Sequence, residues 1–384
     1  MNIQGPLYRI ITLVLGTLMM SFAWPLRGQF GHEWGAAVTG AMAAAIAALL
    51  IPSFVFRKSF GQAVLFGTLG FVLGSENIPY GALIDGVLQQ PSLKDCITEM
   101  LTILFIGASW GCVGATYLGL GLSEKPVQRR DYILLSAAGI ALIALTFFLN
   151  STGQVMLIFT VLILFLQGYN LLRIGSRTMA LLGASGLVFF GLGFEGSVMI
   201  LFWGNKGYLP GPEGWWTLRD QIWGGAGGLG IILAVWACAN RHRQPVILSS
   251  TAFQRICYEV FIPVICGLNT WNVYEKWFKS SPVVSDPAAA AVMILAGSIL
   301  LIGFFVFYLK VAPGIFSTDG VLNRMLLTGF LFFSAYLAFF AIAKSIVYSG
   351  WGAWETGFSL FLVNLLIFFL SMPFILLGPE DSSS

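Results

Sequence analysis

Charge is scarce in this chain. Of its 384 residues only 10% are Asp, Glu, Lys or Arg, against 57% hydrophobic, and the mean hydropathy is +0.85. No water-soluble domain of this size hides so much apolar surface, which excludes the soluble enzymes and binding modules as classes. Histidine is scarcer still, with two residues, His32 and His242, expected on opposite faces of a membrane. Neither can gather the further ligands a metal site needs, so no metal is expected. Five cysteines include no CxxC pair and mostly lie inside apolar runs, which reads as buried thiols and excludes a disulfide framework. There is no P-loop, no HExxH and no Gly-x-Ser-x-Gly elbow, which removes ATPases and soluble-type hydrolases. No cofactor and no nucleic-acid partner are expected. Met1 to Pro6 carries no basic cluster and the first apolar run outlasts a signal peptide, so no cleavable leader is expected.

What the chain has instead is a succession of apolar runs, each about the 20 residues needed to cross a hydrocarbon core. They fall near 8–26, 33–55, 59–75, 98–121, 131–150, 153–172, 177–203, 222–240, 250–270, 287–310, 324–347 and 354–377. This is an all-α polytopic membrane protein of about twelve transmembrane helices. With the N-terminus inside, the inner loops collect Arg57, Lys58, Arg129, Arg130, Arg173, Arg241 and Arg243, while acidic residues concentrate outside. The positive-inside rule then places both termini in the cytoplasm and the chain in the inner (plasma) membrane.

An internal repeat organises these spans. Trp24-Pro-Leu26-Arg27-Gly-Gln29 returns as Trp216-Thr-Leu218-Arg219-Asp-Gln221, displaced by 192 residues, half the chain. Gly35 and Gly227, Leu134-Leu135-Ser136 and Leu326-Leu327-Thr328, and Phe147-Phe148 and Phe339-Phe340 keep the same displacement. A true repeat holds register over a whole unit, and six spans per half make the two copies parallel. The expected bundles are 1–175 and 176–384, around a central cavity. The loops after the second span of each half, Phe56-Arg57-Lys58-Ser59-Phe60-Gly61 and Asn240-Arg241-His242-Arg243-Gln244, are both basic. In this topology the chain resembles the major facilitator superfamily, although neither loop carries that family's signature aspartate. The resemblance implies alternating access and a cavity lined by spans one, four, seven and ten.

The repeated motif is the first candidate site. Trp24, Arg27 and Gln29 close the first span, and Trp216, Arg219 and Gln221 lie in the outer loop leading into span eight. Arginine offers a forked donor set for anions, glutamine an amide, tryptophan a stacking face, so two facing copies suit an anion or a sugar. Tryptophan at an interface also serves as a belt anchor, and arginine there can snorkel. His32 beside Glu33 has the composition for proton exchange near neutral pH. Glu195, within Gly193-Phe194-Glu195-Gly196, and Glu99, at the start of span four, are carboxylates at or near membrane depth. Such groups face a bundle interior or a wet cavity, and both are candidates for proton coupling. Glu259 has Arg255 four residues earlier for a partner, and Lys344 is a candidate partner for Glu195. Glycine recurs at helical spacing in Gly107-Gly111-Gly114, Gly191-Gly193-Gly196 and Gly224-Gly225-Gly227-Gly228-Gly230. This signals tight helix packing or, in the last run, a broken helix lining a cavity.

The expectation is a secondary transporter of a small solute, proton-coupled through the carboxylates. The alternative is a polytopic enzyme or assembly factor for an envelope or lipid-linked substrate, gathering Arg27, His32, Glu33 and Arg219 in an outer crevice. A third reading is a degenerate scaffold whose interior is filled by Phe and Leu.

Overall fold

The structure, a computed structural model, describes residues 6–29, 32–49, 60–75, 78, 80–149, 151–209 and 215–239. Their elements are α1 (Pro6–Gln29), α2 (His32–Leu49), α3 (Phe60–Ser75), α4 (Tyr80–Gln89), a 3-10 turn (Leu93–Cys96), α5 (Ile97–Gly121), α6 (Arg129–Thr146), α7 (Thr152–Tyr169) with a π turn (Asn170–Ile174), α8 (Arg177–Asn205) and α9 (Trp215–Ala239). No strand occurs among the described residues. Segments Leu93–Gly121, Thr152–Ile174, Arg177–Asn205 and Leu218–Ala239 are long and apolar enough to cross a bilayer, the mark of a membrane protein. Shorter apolar helical segments cover Arg9–Pro25, Gly35–Ala44 and Gln62–Ser75. Helix α4 falls where the sequence led us to expect only a connecting loop.

Six helices close a ring in the order α1, α2, α3, α5, α8, α9 and back to α1. Lipid tails are as apolar as the side chains, so helices associate here through close backbone approach. Glycine supplies it. A Cβ on Gly111 would strike the carbonyl oxygen of Gly186, and one on Gly186 would strike that of Gly111. A Cβ on Gly107 would lie 2.6 Å from the Phe190 carbonyl oxygen, and one on Gly119 would lie 2.6 Å from the Met179 Cα. These contacts run in opposite directions along the two chains, so α5 and α8 are antiparallel and share a glycine seam over most of their length.

The glycine run of α9 does the same work. Gly224 and Gly228 meet Met20, Trp24 and Gly16 of α1, while Gly227 and Gly230 meet Phe190 and Phe189 of α8. Of the two readings of this run, tight packing is the one seen and the broken helix is not: α9 runs unbroken from Trp215 to Ala239, because a neighbouring backbone or ring approaches its glycines and compensates for the low helix propensity. Gly191-Leu-Gly193-Phe-Glu-Gly196 and Gly225-Ala-Gly227-Gly-Leu-Gly230 share the letter spacing of a dinucleotide turn. Both lie inside helices and present no strand-to-helix turn to a phosphate.

The 192-residue displacement does not lay helix on helix through α1. It sets the middle of α1 against the turn Lys206–Tyr208 that follows α8, so the first motif copy ends a helix and the second, expected in a loop, begins one. Helices α8 and α9, assigned by the repeat to the second bundle, pack directly on α5 and α1.

Outside the ring, α6 and α7 expose Ile133, Ile140, Leu157, Leu164 and Leu172, which suits lipid contact. Gln167 in α7 donates to Thr116 Oγ1 in α5 at 2.7 Å, an interhelical hydrogen bond. The end of the bundle bearing Arg129, Arg130, Arg173 and Arg177 is knit by helix caps. Asp131 closes a capping box on Gln128 N at 3.1 Å and accepts from the Tyr169 hydroxyl at 2.7 Å. Glu124 accepts from Ser176 Oγ at 2.9 Å, Arg177 N at 2.7 Å and Thr178 N at 3.2 Å, which satisfies the first amides of α8. Burial alone would raise the Glu124 carboxyl. Its hydrogen bonds with Thr178, its own backbone, Arg177 and Ser176 outweigh that effect and hold it below the usual carboxylate range.

Two outcomes follow for unfolding of the purified protein in detergent. Gly111→Val drives methyl groups into the Gly186 carbonyl and the Phe190 ring and lowers stability by about 1–3 kcal/mol. Glu124→Gln lowers it by about 1 kcal/mol at neutral pH. Because the folded Glu124 pKa is depressed, its contribution is complete above the ordinary carboxylate pKa and is lost as pH falls through the lowered value. The difference between wild type and Glu124→Gln therefore narrows below about pH 4; a difference that stays constant with pH would refute the charged cap.

Candidate functional site

Large rings fill the middle of the ring of helices. Trp24 of α1 lies 4.6 Å from Trp223 of α9, 5.4 Å from Trp110 of α5 and 5.2 Å from Phe190 of α8, centroid to centroid. Phe71 of α3 reaches Trp24 at 6.1 Å, and Phe194 stacks on Trp223 at 3.9 Å. The belt-anchor reading of Trp24 is thus corrected: it is wholly buried at the centre of the bundle.

On this aromatic tier sits Arg27, with 0% of its surface exposed. Its guanidinium carbon lies 4.9 Å from the Trp110 centroid, 5.6 Å from those of Trp24 and Trp223 and 5.8 Å from that of Tyr80. Nη1 donates to the Tyr80 hydroxyl at 3.3 Å, and Nη2 lies 3.8 Å from Asp220 Oδ1. Trp110 stands near the midpoint of α5, so this charge is deep in the bundle. A desolvated cation over indole faces gains about 2 kcal/mol or more, yet only a counter-charge makes its burial tolerable.

Asp220 provides that counter-charge. It is 9% exposed, where the sequence led us to expect an outer-loop acid, and the same Oδ1 accepts from Arg219 Nε at 3.1 Å and from Arg219 Nη2. Arg219 is itself buried, with its guanidinium 4.8 Å from the Trp216 centroid. The repeated spacing now has a physical meaning. On a helix, Trp-x-x-Arg puts the two side chains on one face, and in both copies the arginine lies over the tryptophan three residues before it. Antiparallel packing of α1 on α9 then brings both arginines to one carboxylate.

The remaining candidates are distributed differently. Gln221 is buried beside this cluster, and Trp216 is exposed at its rim. Gln29 closes α1, and His32 and Glu33 open α2; their side chains lie outside the described atoms. Glu195 follows Phe194 but shares a stripe of α8 with the exposed Val188 and Leu192, and Glu99 lies in the first turn of α5. Among the described residues neither glutamate bonds to an arginine. Lys344, Glu259 and Arg255 lie outside the described residues.

Sequence reasoning missed Asp220, Tyr80, Trp110 and Trp223. A signal existed for two of them: Asp220 stands between Arg219 and Gln221, and Trp223 follows Arg219 by one helical turn. Tyr80 and Trp110 reach the cluster only through tertiary packing. No protein-family model, curated protein or solved structure matches this chain.

The pairing makes a sharp expectation for stability. Asp220→Asn removes the carboxylate that both buried arginines share and costs about 3–5 kcal/mol, read as a lowered melting temperature. A neutral outcome would mean that the two cations are not held by Asp220.

Proposed function

We propose that the chain is a secondary transporter of a small solute, whose binding site is the buried group formed by Arg27, Arg219 and Asp220. One observation carries this reading. Two cations and an anion, Arg27 from α1 and Arg219 and Asp220 from α9, converge deep inside the bundle, level with the middle of α5, where charge is costly and is retained for function. An enzyme acting on a lipid-linked substrate would instead gather its polar groups in a crevice at one face. On our reading the full chain is a twelve-helix carrier of two six-helix bundles, 1–175 and 176–384, resembling the major facilitator superfamily. It lies in the inner membrane with both termini cytoplasmic. Helix α4 and the aromatic tier below Arg27 act as the two closures of alternating access. Glu195, Glu99 and the His32-Glu33 pair are the proposed proton-coupling groups. A second reading, a membrane scaffold without transport, is favoured by the close filling of the bundle centre with Trp24, Phe71, Phe190 and Trp223.

Flux separates the two. The protein in proteoliposomes on a solid-supported membrane is challenged in turn with benzoate, lactate, inorganic phosphate, glucose and choline, and internal pH is followed in parallel. Saturable flux of one of these solutes, lost in Arg219→Gln, is the outcome expected of a carrier. Proton coupling predicts in addition that Glu195→Gln alters the pH dependence of uptake. Flux indistinguishable from empty vesicles for every solute would leave the scaffold.

A further inference from the structure

A second pair of arginines stands at the opposite end of the bundle, on its surface. Arg130 lies in the first turn of α6 and Arg173 in the π turn after α7. Their Nε atoms are 3.9 Å and 3.8 Å from the same atom, Asp131 Oδ1, while 67% and 45% of the two side chains stay exposed. Asp131 is committed elsewhere, accepting from the Tyr169 hydroxyl at 2.7 Å and from Gln128 N at 3.1 Å. At their distances the arginines are drawn to it by charge without hydrogen bonding to it. Two guanidinium forks are thus gathered side by side, with their donors available at the surface.

Next to this pair the surface is apolar. Ile133 and Ile140 stand exposed on the face of α6 that Arg130 heads, and Leu157, Val161 and Leu164 form an exposed stripe along α7. The two helices pack on each other, so the stripes and the arginines belong to one surface. Leu172, the neighbour of Arg173, is 88% exposed although its turn is pinned: buried Asn170 donates to the Ser176 carbonyl oxygen at 2.9 Å and accepts from Ser176 N at 3.0 Å. A leucine held open beside an arginine matches the boundary between acyl chains and headgroups, where apolar and cationic groups are both satisfied.

From these observations we infer that Arg130 and Arg173 hold the headgroup of an anionic membrane phospholipid, whose acyl chains lie along the exposed stripes of α6 and α7. A guanidinium fork matches phosphate oxygens, and two forks take one phosphodiester between them. Lys125, Arg129 and Arg177 are exposed at the same end, and the described acids there, Glu124 and Asp131, are engaged in helix caps. A zwitterionic headgroup brings its own cation among these charges, whereas an anionic one gains from all of them. Free phosphate has no chains to cover the stripes. The inference goes beyond the carrier reading and does not depend on it.

Native mass spectrometry of the full-length protein in detergent tests this. The probes are dioleoyl phosphatidylglycerol, dioleoyl phosphatidylcholine and glycerol 3-phosphate. Phosphatidylglycerol is expected to bind most tightly, phosphatidylcholine more weakly, and glycerol 3-phosphate not at all. Arg130→Gln and Arg173→Gln each remove one exposed charge, so each should melt like wild type in lipid-free detergent and bind phosphatidylglycerol about fivefold more weakly, the double variant about thirtyfold. Lys94→Gln removes an exposed charge before α5, at the other end, and should bind like wild type. The inference is overturned if phosphatidylcholine binds as tightly as phosphatidylglycerol or if glycerol 3-phosphate does. It is overturned equally if the double variant binds like wild type, or if Lys94→Gln weakens binding as much as the arginine variants. Should the double variant not fold, the two single variants decide.

Discussion

Arg27 cannot shed its proton at any pH the cell reaches, and it is wholly buried. That combination constrains the rest of the bundle. The charge has to be met by a carboxylate, by a hydroxyl and by ring faces, and these arrive from four helices. Asp220 comes from the first turns of α9, Tyr80 from the first residue of α4, and the indoles from α1, α5 and α9. Displacing any one of these helices would break a contact to the guanidinium. The seam of Gly111 on Gly186, beginning one residue beyond Trp110 on α5, thus bears on the same charge, because it fixes how closely α5 and α8 bring Trp110 and Phe194 to the centre.

Small residues between helices and large residues inside them are two halves of one solution. A ring of six helices encloses a wide interior, and wide interiors in membranes either hold water or must be filled. Here tryptophan and phenylalanine fill it, and glycine at the seams draws the helices in until the rings touch. Leucine and isoleucine pack around these rings on the inner helices, as Ile103, Ile106, Leu118 and Leu182 do, and are exposed on the outer helices α6 and α7. The pattern explains why glycine and phenylalanine coexist in the described helices, although glycine is an unfavourable helix residue.

The described helices were legible in the sequence, because their apolar runs are bounded by caps or polar turns that act locally. Ser151 and Ser176 cap the helices that follow them, and Asp131 closes a box three residues from Gln128. The Trp-x-x-Arg spacing was legible for the same reason, being a contact within one helix. What was not legible is whatever depends on which helix neighbours which. Asp220 looked like a loop acid until α1 was laid against α9, and Tyr80 looked like a loop residue because a helix as short as α4 leaves little periodicity to read. Glu195 shows the same limit. Its place in an apolar run marked it as a candidate, but the run alone does not tell which helix face it shares, here the stripe of Val188 and Leu192.

The two ends of the bundle treat charge in opposite ways, and the contrast says more than either end alone. At the end with Arg129, Arg130 and Arg173, charges lie at the surface, and acids such as Glu124 and Asp131 are used to finish helices. Acidic charge there helps the fold. Toward the other end, two arginines and an aspartate are buried where well-packed apolar residues would commonly be as stable or more so. A fold that needed only stability would not place them there. Their retention within an otherwise apolar interior is the feature that carries the functional reading proposed above.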